Sequence, residues 1–241
     1  MKKRFQKVQL LSFSALMLFV LFSSCSQTLR IKKDSEKIEG MRDGYRYELW
    51  DQNSQGKASM KLGKGALFNG QWSNVENYLA RRGLSYYQTQ EHRDIGNFYA
   101  TYNCSYKPSS VAGGNSYLSV YGWTINPLIE FYIIEDWRNW IPSMSKEAVF
   151  KGTLDANGSI YDIYECTRIN QPSIIGITTF LQYFSIRRDK RDKGTINISE
   201  HFNKWESLGL KMGKMHEVSF VVEGYHNSGK FRFNDLNIFV K

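Results

Sequence analysis

Proline is scarce in this chain, four among 241 residues, and so is cysteine, with three. Few prolines leave long stretches free to pair as strands, and an aromatic content of 15% with many Thr, Tyr and Val residues favours that outcome. The four histidines, His92, His201, His216 and His226, are scattered. No Cys/His spacing matches a metal-ligand pattern, so a zinc site is not expected and no cofactor is suggested. No internal repeat is present. Short alternating runs separated by Gly, Asn and Ser turns therefore argue for a single all-β sandwich domain of about 200 residues.

Acidic residues are also in deficit, 23 against 32 Lys and Arg, for a formal net charge of +9. Four of the basic residues, Lys2, Lys3, Arg4 and Lys7, precede an apolar stretch from Val8 to Phe22 that is too short for a comfortable membrane span. Residues 1–24 read as an export signal. Ser23 and Ser24 before Cys25 resemble a bacterial lipoprotein processing site, which makes Cys25 a lipidated residue and a membrane tether; ordinary signal-peptidase cleavage nearby is the alternative. Residues 25–38 then read as a polar, flexible spacer before a domain at 39–241. Without the leader's four cations the net charge is about +5, which is no nucleic-acid signature. The densest basic run, Arg187 to Lys193, is interleaved with acids and reads as a solvated loop. Whether Cys104 and Cys166 pair is open, because both fall on expected strands whose separation the sequence does not give.

Two carboxylates lie inside apolar, aromatic strands: Glu130 in YGWTINPLIEFYIIEDW (121–137) and Glu223 in VSFVVEGYHNSG (218–229). Successive strand side chains point to opposite faces. Leu128, Glu130, Tyr132 and Ile134 therefore share a face, as do Tyr117, Ser119, Tyr121 and Trp123, and Val221, Glu223 and Tyr225. If those faces line one groove, it is a polar aromatic cleft holding two acids. A carboxylate paired with a base or on a solvated sheet face is the plainer reading of each alone.

These strings, with NQPSI (170–174) and TTFLQYFSIRR (178–188), closely resemble glycoside hydrolase family 11, the endo-β-1,4-xylanases. The likeness covers nearly all of residues 40–241 and includes GYRYELW (44–50), QWSNVENY (71–78) and the helix-like ISEHFNKWESLG (198–209). It implies a β-jelly roll of two twisted antiparallel sheets with a deep cleft, a thumb loop around 168–174 and one α-helix, and a monomer acting on xylan. Within that helix Ser199 can cap the start, Phe202, Trp205 and Leu208 form one apolar face, and Gly209 can end it.

The resemblance assigns Glu130 as nucleophile and Glu223 as general acid and then base, in a retaining mechanism whose carboxyl groups stand about 5–5.5 Å apart. It implies that Tyr121 and Tyr132 hold the nucleophile and the reacting sugar, and that Asn77 stands beside the acid/base and signals a near-neutral pH optimum. Trp50 looks like a sugar-stacking platform. Arg168 and Gln182 match polar cleft residues, Pro172, Ser173 and Ile174 match the thumb contact with xylose, and Phe184 replaces a common Trp while keeping an aromatic wall. Tyr225 shares the Glu223 face. A β-1,4-glucanase of related fold and a non-catalytic xylan-binding jelly roll are the competing readings.

Overall fold

The computed structural model describes residues 26–32, 35–109 and 113–241. The expected export signal and Cys25 lie outside them. The first strands are β1 (Gln27–Arg30), β2 (Lys37–Arg42), β3 (Tyr45–Asp51), β4 (Lys57–Leu62), β5 (Phe68–Ser73) and β6 (Asn77–Ser85), followed by a short helix α1 (His92–Ile95). Next come β7 (Phe98–Pro108), β8 (Asn115–Ile125), β9 (Ile129–Arg138), β10 (Val149–Ala156), β11 (Ser159–Ser173) and β12 (Gly176–Arg187). The chain closes with β13 (Lys193–Asn197), helix α2 (Ile198–Ser207), β14 (Lys214–Tyr225) and β15 (Gly229–Val240).

Two sheets form, a six-stranded one in the order β1-β4-β5-β15-β7-β13 and a nine-stranded one in the order β10-β11-β12-β9-β8-β14-β6-β3-β2. Neighbours run antiparallel except β9 and β12, which are parallel. Alternation explains the layering. Ile129, Phe131 and Ile133 of β9 enter the core between the sheets, where Phe68, Phe98 and Phe220 also sit. Tyr132 and Ile134 point the other way and join Tyr117, Tyr121, Trp123, Phe184 and Val221 in a second cluster on the outer face of the nine-stranded sheet. Each fully buried Phe or Leu contributes about 1.5–3 kcal/mol, so the core between the sheets is the main source of stability.

Helix α2 packs Ile198, Phe202 and Trp205 into that core. It ends as expected at Gly209, whose φ of +82° lets its N–H reach Glu206 O at 3.0 Å while Leu210 N–H reaches Trp205 O at 3.0 Å. The start differs. Asn197, still extended, precedes the first helical residue, so Ser199 is already inside the turn and its hydroxyl accepts the Phe98 N–H at 2.9 Å.

Two further expectations change, and the open question of the two cysteines closes. Residues 27–30, read as flexible spacer, pair with β4 as β1 because Leu29 reaches the core. The run from Arg187 is a solvated loop only in part: residues 188–192 connect β12 to β13 and are mostly exposed, but Arg187 is buried, donating to Tyr161 Oη at 2.9 Å and Asn157 O at 3.1 Å, and Arg191 binds Glu135. Glu135 is the residue left over at a β-bulge in β9, which turns it inward between the hydroxyls of Tyr102 (2.8 Å) and Tyr161 (2.5 Å). Cys104 and Cys166 are unpaired and belong to different clusters, one between the sheets and one on the cleft face.

Candidate active site

Glu130 on β9 and Glu223 on β14 are separated in the sheet by β8, where their partners are Trp123 and Tyr117. Those partners are six positions apart, a run of about 20 Å in a flat strand. The sheet does not stay flat. Its bulges, between Leu118 and Ser119 and between Met215 and Glu217, bend it. The Tyr132 hydroxyl thereby meets both acids, 3.3 Å from Glu130 Oε1 and 3.4 Å from Glu223 Oε2, which keeps those two oxygens within about 6.7 Å of each other.

The donors are unevenly shared. Glu130, 8% exposed, accepts from Tyr121 Oη at 2.8 Å, from Tyr132 Oη and from Gln182 Nε2. Glu223, partly open to the cleft, accepts from Asn77 Nδ2 at 3.3 Å. A phenol carries one proton and cannot donate to two carboxylates at once. If Tyr132 donates to an ionised Glu130, the contact with Glu223 is satisfied by the acid's own O–H donating to the Tyr132 oxygen. The hydrogen bonding thus suits one anion and one neutral acid.

Burial raises the proton affinity of Glu130, and the bonds from Gln182 and Tyr121 oppose that rise. Burial, followed by the charge of Glu130, pushes Glu223 up to about 7 against the opposing bonds from Asn77 and Tyr132 and the charge of Arg168. Tyr117, Tyr121 and Tyr132 are held far above the ordinary phenol range, chiefly by burial, and remain donors. Among the described residues no group of His, Cys, Asp and Glu is placed to hold a metal ion.

The other expected residues surround this pair. Phe184 stacks on Tyr132 with ring centres 5.3 Å apart. Trp50, on β3 opposite Leu79 of β6, borders the cleft cluster and is half-buried. Tyr225, 43% exposed, sits at the end of β14 against the His226 ring. The thumb is a β-hairpin rather than a loop, because Pro172 and Ser173 of β11 pair with Ile177 and Gly176 of β12. Ser173 Oγ closes the turn, donating to Gly176 O at 2.6 Å and accepting the Ile175 N–H at 3.2 Å. Ile174 packs on the cleft cluster, whereas Arg168 leans on Gln171 at 3.4 Å and reaches the acids by charge alone.

Sequence reasoning missed what lies behind Tyr121. Trp123 Nε1 donates to the Tyr121 hydroxyl at 2.5 Å. Arg81, buried on β6, places its guanidinium 5.0 Å from the Tyr121 ring centre and binds Glu48 at 2.9 Å and the fully buried Glu217 at 3.0 Å. The available signal was alternation along β6, which aligns Arg81 with Asn77, but its acidic partners come from β3 and β14. Arg81→Met leaves Glu217 buried without its main counter-charge and should cost about 3–5 kcal/mol in urea unfolding. A loss below about 1 kcal/mol would show the pair to be dispensable.

Two carboxyl groups sharing one phenol on the aromatic face of a β-sandwich are an arrangement suited to a glycoside hydrolase. Residues 42–234 match the model of the glycosyl hydrolases family 11, and the chain belongs to that family. It is 48% identical over 201 residues to endo-1,4-beta-xylanase A of Bacillus pumilus, covering 83% of this chain and 84% of that protein. It is 44% identical over 231 residues to endo-1,4-beta-xylanase A of Thermoclostridium stercorarium, covering 95% of this chain but 34% of that longer protein. The structure of the family 11 xylanase from Neocallimastix patriciarum superposes with a TM-score of 0.81 at 34% identity, over 89% of this chain and 100% of that one.

Proposed function

We propose that this chain is an endo-1,4-β-xylanase that cuts internal β-1,4-xylosidic bonds with retention of configuration. The observation that carries the reading is the Tyr132 hydroxyl shared between Glu130 and Glu223. Ionised Glu130 attacks the anomeric carbon while Glu223 passes its proton to the leaving glycosidic oxygen, giving a xylosyl ester on Glu130 and a released chain end. Esterification removes the charge that held the Glu223 proton. Glu223 then takes a proton from water, the oxygen attacks the same anomeric carbon, and Glu130 leaves. Two inversions restore the starting configuration. Gln182 and Tyr121 orient the nucleophile, Trp50 and Phe184 offer aromatic walls, and the thumb residues Pro172, Ser173 and Ile174 overhang the sugar.

The test counts new reducing ends on arabinoxylan, glucuronoxylan and carboxymethylcellulose. Xylans should be cut and cellulose spared; comparable cutting of both would favour the β-1,4-glucanase reading. On pH, kcat/KM should fall as Glu223 loses its proton, on an alkaline limb near 7, and again in acid as Glu130 gains one. Asn77→Asp replaces the amide donor with a group that donates only when protonated, so the optimum should move down by about one unit or more. An unchanged profile would remove Asn77 from the acid/base environment. We further propose export of the chain and a lipid tether through Cys25, supported by the charged leader and the small residues before Cys25. Recovery of an unmodified amino terminus from the membrane fraction would count against the tether.

A further inference from the structure

Strand β1 starts at Gln27, two positions after Cys25. Two residues of chain reach about 7 Å at most, so a lipid carried on Cys25 holds the edge of the six-stranded sheet against the bilayer with no spacer between them. The outer face of that sheet then decides what the bilayer meets. Arg30 of β1, Lys57 and Lys61 of β4, Lys107 of β7, and Lys230 and Arg232 of β15 are exposed on it and alternate with inward residues such as Leu29, Ala58, Met60, Tyr106 and Phe231. Among the described residues none of these six joins an ion pair with a carboxylate. Asp235 is the one acid in the six strands. These cations supply the whole excess of about +5 that the chain carries without its leader.

Strand register gathers the charges into adjacent rows. Arg30 stands opposite Ser59, Ser59 opposite Gln71, Gln71 opposite Lys230 and Lys230 opposite Lys107, a line that crosses β1, β4, β5, β15 and β7. In the next row Lys61 faces Asn69, and Asn69 faces Arg232. Like charges in opposed positions, as at Lys230 and Lys107, destabilise a sheet, and an anionic surface laid over them offsets that cost. Lysines that only protect a sheet edge belong on the outermost strands, whereas β15 and β7 lie inside this sheet. The face also has relief. A groove of about 620 Å³, lined by Arg30, Lys57, Lys107 and Lys230 with Ser59 and Gln71 among them, admits a phosphorylated headgroup while Lys61 and Arg232 rest on its neighbours.

We propose that the outer face of the six-stranded sheet docks on an anionic bilayer, its cations meeting lipid phosphates on the surface to which Cys25 is tethered. The inference rests on the lipid-tether reading of Cys25 and goes beyond it by fixing how the domain lies. An acyl anchor and a basic patch are two signals that reinforce each other at an anionic surface. The cleft belongs to the outer face of the nine-stranded sheet, on the opposite side of the sandwich. Docking by the basic face therefore turns Glu130 and Glu223 toward solvent, where a polymer reaches them without approaching the headgroups.

The test follows amine acylation, read by mass spectrometry, on the full chain expressed with its leader and bound to vesicles of phosphatidylcholine alone or mixed with phosphatidylglycerol. Lys57, Lys61, Lys107 and Lys230 should react about tenfold more slowly on the anionic vesicles at low salt, with the difference lost at high salt. Lys146, exposed ahead of β10 in the other sheet, should react alike on both. Exchanging Lys57→Gln, Lys107→Gln, Lys230→Gln and Arg232→Gln together should bring Lys61 to equal rates on the two vesicles. Both forms should cut xylohexaose equally in solution, which also reports that the exchanged protein folds. Equal acylation of the four lysines on both vesicles overturns the proposal, as does their protection by glucuronoxylan in place of the vesicles. An amino terminus without acyl chains on Cys25, read in the same spectra, would instead overturn the tether and, with it, this placement of the domain.

Discussion

Replacing Glu130 by alanine should lower kcat on xylan by a factor on the order of 10⁴ or more while leaving the fold intact. Glu130 accepts from Tyr121, Tyr132 and Gln182, so three donors converge on the atoms that attack. Those donors are neutral and lie at the cleft wall, and losing their acceptor leaves a space that water can enter. The thermal transition should therefore shift little. Activity within about tenfold of the unaltered chain would show that another group is the nucleophile.

Glu223→Gln should slow xylan cleavage by about 10²–10⁴-fold, the usual contribution of a general acid. The loss should shrink on an aryl xylobioside, whose leaving group needs no proton. Ester hydrolysis still needs a base, so the intermediate should accumulate as a burst. A second consequence concerns stability. In the folded chain Glu223 holds its proton up to about 7 against an ordinary 4.5. The folded state therefore binds that proton more tightly than the unfolded one, and the stabilisation is fully present below the lower value and lost as pH rises through the upper one. Glutamine does not titrate, so the variant should gain thermal stability relative to the unaltered chain between pH 4 and pH 8. An equal loss of activity on both substrates, with no relative gain in stability, would remove Glu223 from the acid role.

What the sequence disclosed followed from period-2 alternation, a local property. It placed Glu130 beside Tyr132, Glu223 beside Val221, and Phe131 on the opposite face, and each of those positions is found in the folded sheet. What it did not disclose depends on which strands become neighbours. Arg81 becomes a support for Tyr121 only because β3 and β14 flank β6 and bring Glu48 and Glu217 to it. Arg187 and Arg191 looked like loop charges because their anchors, Tyr161 and Glu135, lie far away in the chain and Glu135 is turned inward by a bulge. β1 went unread because a four-residue strand with a single core contact, Leu29, gives too short a pattern to separate from polar chain.

The stereochemistry of the first product tests the pairing of Glu130 with Glu223 most directly. Proton NMR of xylohexaose cleavage, followed from the first turnovers before mutarotation, should show the new reducing end forming as the β-anomer. Initial formation of the α-anomer would mean that water attacks directly across a wider gap, and would contradict a nucleophile and an acid held by one tyrosine.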